Sequence, residues 1–144
     1  MQSPNPNEAA NQASLAVGSG SKIMVWEFST EENQHGHKTF DPYPDYDDGM
    51  PISSLAWNHN QMVVATSSGI STDQLAHDNI VLLSSQSGQV LDSFQHDSEW
   101  KQKEEGSAAK SVSFGGKSRY LCIGDESGAV CLWDLKKKIR VRQF

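Results

Sequence analysis

Nowhere in its 144 residues does the chain carry an apolar run near the roughly 18–20 residues that a membrane-spanning helix requires. The opening stretch "MQSPNPNEAANQ" has neither the basic nor the apolar part of a signal peptide. Gln2 stands where N-myristoylation needs a glycine. Cysteine is scarce: Cys122 and Cys131 are the whole complement, and without an export signal both are expected as free thiols in the reducing cytosol. Positive charge is in deficit, 12 Lys and Arg against 18 Asp and Glu, for a net −6. That balance argues against a dedicated nucleic-acid or anionic-membrane binder, since both need a cationic surface. Motifs that carry chemistry are missing too: no G-x-S-x-G elbow, no P-loop and no H-E-x-x-H. The expectation is a soluble cytoplasmic protein that is not an enzyme and uses no cofactor.

What is present is a series of short strands. "SLAVGSGSKIMVWEF" (Ser14 to Phe28) reads as an apolar run, a Gly/Ser turn and an alternating run, with Ile23, Val25 and Glu27 on one face and Met24, Trp26 and Phe28 on the other. Residues 1–13 read as a disordered lead-in. Ser29 to Pro51 is acidic, broken by Pro42, Pro44 and Pro51, with a stub of strand at Lys38 to Phe40. Then come "ISSLAWN", "MVVATSS", a polar loop, "NIVLLSS", "QVLDSFQ", a charged loop over His96 to Ala108, and "KSVSFGG", "YLCIG", "AVCLWDL" and "IRVRQF". The pattern predicts an all-β fold without helices, a sandwich, barrel or propeller.

These pieces repeat. "LAVGS", "VATSS" and "LCIGD" form one strand type, "KIMVWEF", "NIVLLSS" and "AVCLWDL" the next, and "ISSLAW" matches "AKSVSF". Trp26, Leu83 and Trp133 therefore occupy equivalent positions, as do Trp57 and Phe114. The units run over about 14–50, 51–95 and 109–144. Their spacing exceeds the roughly 40–45 residues of the commonest such repeat. The excess falls in the loops Ser29–Pro51, Gly69–Asp78 and His96–Ala108, where insertions are tolerated.

With the tight-turn Asp125, the alternating Val130 and Leu132, and the closing Trp133-Asp134, the third unit resembles a WD40 repeat. The resemblance implies about two and a half four-stranded blades of a β-propeller, with Asp125 and Trp133 tying a blade together through a histidine. His96 lies in the appropriate loop but far ahead of Lys110, so an incomplete triad is expected. Units one and two replace Trp-Asp by Trp26-Glu27 and Leu83-Ser84. The order "ISSLAW" followed by "YLCIGDESGAVCLWDLKKKIRVRQF", after a start on a second-strand motif, looks like the N-terminal part of the NEDD-one (GCP-WD) family. That family targets the γ-tubulin ring complex to centrosomes and spindles and contacts it mostly through a helical C-terminal region. The resemblance thus implies protein partners at the cytoskeleton, with remaining blades or further copies needed to close the ring, and a chain that is a piece of a longer protein. A WD40 adaptor in ubiquitin ligation, trafficking or chromatin, and a non-functional truncated product, are the alternatives.

Candidate sites are few. In "TFDPYPDYDDGMP", Tyr43 and Tyr46 stand among Asp45, Asp47 and Asp48, a loop suited to a basic protein partner or simply a solvated connection. Its acids lack the glycine and terminal glutamate of a calcium loop. "HGH" (35–37) offers two histidines without a third ligand. Trp100 is an aromatic in a charged loop, a possible interface anchor. Centring the last hairpin's turn on Glu126-Ser127 places Cys122 opposite Cys131. "KKKIRVR" puts five positive charges in seven residues, either an anion-binding patch or a protected edge strand.

Overall fold

The computed structural model describes residues 12–29, 35–44, 50–58, 61–66, 79–96 and 108–144. Within them the chain is all-β, with eleven strands and no helix: β1 Gln12–Ser19, β2 Lys22–Ser29, β3 His35–Phe40, β4 Ile52–Trp57, β5 Gln61–Thr66, β6 Ile80–Ser84, β7 Val90–Phe94, β8 Ala109–Gly115, β9 Tyr120–Asp125, β10 Val130–Asp134 and β11 Ile139–Gln143. They form three antiparallel sheets in chain order: β1-β2-β3, then β4-β5-β6-β7, then β8-β9-β10-β11. β1 starts at Gln12, inside the stretch read as lead-in. The expected stub at Lys38 to Phe40 is the end of a full strand paired with β2 from Ile23↔Phe40 to Phe28↔His35.

The two four-stranded sheets share their irregularities as well as their order. A bulge interrupts the first pair at Ile52/Ser54 in one and at Ala109/Ser111 in the other. A second falls in the last pair at Leu82/Leu83 and at Leu132/Trp133. Bulges fix register and local twist, so matching bulges are a structural repeat and not a chance likeness of sequence.

The alternation of side chains decides how the sheets stack. In β2, Ile23 and Val25 point inward and are buried, while Met24, Trp26 and Phe28 point the other way. β6 is apolar on both faces because both are covered: Val81 and Leu83 join Met62, Val64, Ile23, Val25 and Phe40 in one core. Ile80 and Leu82 join Leu121, Ile123, Cys131 and Trp133 in a second. A continuous buried run is what a strand between two layers requires. The sheets are also laced near their first strands. Ile52 N donates to Gly20 O (2.8 Å), Ser53 Oγ to Ala109 O (2.6 Å) and Val112 N to Ser54 Oγ (3.3 Å).

Three expectations are corrected. Cys122 does not oppose Cys131: Cys122 pairs with Leu132, and Cys131 with Ile123. The hairpin loop holds three residues, Glu126 to Gly128, closed by Asp125 N to Ala129 O (3.0 Å) and Gly128 N to Asp125 O (3.2 Å), with Gly128 at φ 88°. The extra residue shifts the register by one and turns the two thiols to opposite faces. Neither is in a disulfide; Cys131 is buried and Cys122 half-buried. Trp57, matched by the repeat to Phe114 as a structural blade residue, is 39% exposed, and among the described residues no strand pairs with the free side of β1. Tyr43 is the reverse case. It is buried with Phe40 and Met50 in the first core, where it cannot meet a partner.

Candidate functional site

The joint between the middle and third sheets is built on polar residues. Asn79 precedes β6 and His96 follows β7, so the open end of that hairpin brings them together. The His96 backbone N–H can only donate, and it donates to Asn79 Oδ1 (3.1 Å). This fixes the amide so that Asn79 Nδ2 donates to His96 Nδ1 (2.7 Å). Nδ1 is thus an acceptor, and the ring proton sits on Nε2, which faces Asp125 Oδ2 across the joint at 3.6 Å.

Asp125 is held in turn by its own hairpin. Its Oδ1 accepts from Ser127 N (2.9 Å), Ser127 Oγ (2.6 Å) and Ala129 N (3.0 Å). Burial works to raise its pKa, but these hydrogen bonds and the neighbouring His96 outweigh it and hold the carboxyl below its ordinary range. The His96–Asp125 approach corrects the expectation drawn from sequence distance. Ala108, at the far end of the intervening loop, also returns to this turn: Glu126 N donates to Ala108 O (3.0 Å) and Ala108 N to Glu126 Oε1 (3.3 Å). Both loop ends meet at Asp125-Glu126, so the loop's length does not separate them. Asn79 was not singled out from the sequence. Its signal was its place, a buried-type amide directly before an apolar strand.

Of the other residues singled out, Leu83 is fully buried, and Trp133 is buried with its ring 4.8 Å from Phe94, centroid to centroid. Phe114 packs at the margin of the same core. Asp134 is buried and ties two turns together. Its Oδ2 accepts from Arg119 Nη2 (2.8 Å) and Nε (3.1 Å), its Oδ1 from Lys136 N and Lys137 N (3.0 Å each). The Arg119 hydrogen bond leads in lowering the Asp134 pKa, against burial and with help from the two turn amides. Asp45, Tyr46, Asp47, Asp48 and Trp100 lie outside the described residues.

The stacking direction leaves one face uncovered. In the third sheet the row Phe114–Leu121–Trp133 lies toward the middle sheet. In the middle sheet the row Trp57–Met62–Leu83 lies toward the first. The matching row of the first sheet, Leu15–Trp26–His37, points the same way, and no described strand lies beyond it. Leu15 (51%), Val17 and Phe28 (39% each) are exposed there, beside half-buried Met24 and Trp26. At the other end of the stack, Leu132 and Val130 occupy positions that Leu82 and Ile80 fill in the middle sheet, and Val130 is 36% exposed.

The described residues form no group of three or more His, Cys, Asp or Glu placed to hold a metal. His37 of "HGH" instead lies beside Trp26, ring centroids 6.4 Å apart. A cavity of about 50 Å³ beside Phe94, Trp133 and Lys138 has room for a water or two, not for an organic ligand. No helix among the described residues is long and apolar enough to cross a membrane. No family model matches the chain.

Proposed function

We propose that the chain is part of a WD40-type β-propeller acting as a non-enzymatic protein-interaction scaffold. The observation that carries this reading is the repeated stacking. Two sheets lay the same side-chain row against the sheet before them, and a third presents that row to solvent. Repeat sheets with two apolar faces need neighbours on both sides, so the open faces are completed by further sheets, from remaining blades or other copies.

Within that class, the likeness of the third unit to the NEDD-one family favours a role in microtubule nucleation, through protein partners at centrosomes or spindles. The chain would then supply targeting, while γ-tubulin recruitment belongs to a helical region of the kind that family carries. The experiment is to express the tagged chain in dividing cells, alongside Trp133→Ala as a misfolded control. Enrichment at spindles or centrosomes, without enhanced γ-tubulin there, supports the reading. A diffuse signal from a well-folded chain sinks the microtubule role and leaves an adaptor of another pathway.

A further inference from the structure

We infer that β11, the outer edge of the third sheet, is a docking edge for an acidic, extended polypeptide. Among the described residues β11 is paired on one side only, by β10. Phe144 N donates to Val130 O (2.9 Å) and Phe144 O accepts from Val130 N (3.2 Å). By the alternation of an antiparallel ladder, the neighbouring Gln143, opposite Cys131, directs its own N–H and C=O away from β10. An extended segment can pair there by strand addition. Ile139 (49%) and Val141 (51%) stand exposed along the strand and offer apolar contacts to alternate side chains.

Charge selects the partner. Lys136, Lys137 and Arg142 are exposed and have no acidic partner among the described residues. Lys117 adds to them from the β8–β9 turn, which Leu135 N to Arg119 O (3.0 Å) ties to the β10–β11 turn. The acids close by are already used: Asp134 on Arg119 and Asp92 on Lys138 (2.8 Å each). The other outer strands are not like this. β7 presents Asp92, and Lys38 of β3 is paired with Glu27 (3.1 Å). In a chain of net charge −6, β11 is a local inversion of sign. Arg142 on the strand and the lysines of the adjoining β10–β11 turn repel basic strands and further copies of β11, but they attract a strand bearing carboxylates. The occupant this chemistry fits alternates acidic and aliphatic residues.

The test uses the whole chain and a fluorescein-labelled peptide of alternating Glu and Val, read by anisotropy. Its controls are the same peptide N-methylated on alternate amides, a Lys/Val peptide, and a single-stranded oligonucleotide of equal charge. Expected are binding of the Glu/Val peptide that weakens with salt, a loss of roughly tenfold or more in the double variant Lys137→Glu/Arg142→Glu, and a comparable loss on N-methylation. Hydrogen exchange at the Gln143 amide should slow when the peptide is bound. No binding of the Glu/Val peptide overturns the inference. So does binding unchanged by N-methylation, or oligonucleotide binding as tight as the peptide's, since either would make the edge a nonspecific anion surface.

Discussion

His96 at the end of the middle sheet points Nε2 at Asp125 Oδ2 in the hairpin of the third, 3.6 Å away, with Asn79 holding the imidazole from behind. The two sheets are thus joined by a buried polar contact as well as by apolar packing. Asn79→Ala should destabilise by about 2–4 kcal/mol, because it leaves the buried His96 N–H and Nδ1 both unpaired. Asp125→Ala should cost about 2 kcal/mol through the lost turn bonds. Urea unfolding of each variant measures these values. A cost near zero for Asn79→Ala would mean that the joint is held by packing alone.

Acid should loosen the third sheet first. Asp125 and Asp134 both have folded pKa values below their ordinary range. A depressed carboxylate contributes stability that is present above the unfolded value of about 3.9 and is lost as pH falls through the folded value. Stability should therefore hold between neutrality and about pH 5, then fall steadily below about pH 4. Asp134→Asn should flatten the acid limb. A denaturant midpoint independent of pH between 5 and 2 would contradict this.

Trp133 and Trp26 hold the same position in the repeat but not the same environment, the first 7% exposed and the second half-buried on the open face. Trp133→Ala should cost about 3–5 kcal/mol. Trp26→Ala should cost about 1 kcal/mol in the isolated chain. Trp133→Phe should stay within about 1 kcal/mol of wild type, because the buried Trp133 Nε1 donor has no partner among the described residues and phenylalanine removes it. If Trp26→Ala proved as costly as Trp133→Ala, the first sheet's outer face would be covered after all.

The strands and their order were legible because alternation and Gly/Ser turns are local signals. The equivalence of Trp26, Leu83 and Trp133 was legible too, since a repeat needs no knowledge of contacts. What the sequence concealed depended on single residues in turns and on chain returning from loops. One extra residue between Asp125 and Ala129 separated the cysteines that a two-residue turn would have opposed. His96 was discounted by counting residues along a loop whose ends meet at one turn. Tyr43 looked like a surface aromatic because acids flank it, yet its ring closes the first core. Trp57 matches Phe114 in the repeat, yet it is 39% exposed where no described strand pairs with the free side of β1.

Gly88 gives a direct test of how tightly the first two sheets meet. It lies in the turn between β6 and β7 at φ 72°, and a Cβ there would overlap the Phe40 ring of β3. Gly128 has a similar backbone, φ 88°, but open space around it. Alanine at 128 therefore costs only the left-handed backbone strain, about 1–2 kcal/mol. Alanine at 88 adds a clash with a buried aromatic ring, at about 1–3 kcal/mol more. The difference between the two variants isolates the sheet-to-sheet contact from the turn itself. Gly88→Ala with Phe40→Leu should recover part of that difference and none of the backbone cost. Equal losses at 88 and 128 would show that Phe40 yields freely, and that the first sheet is packed more loosely on the middle one than the buried Ile23, Val25 and Leu83 imply.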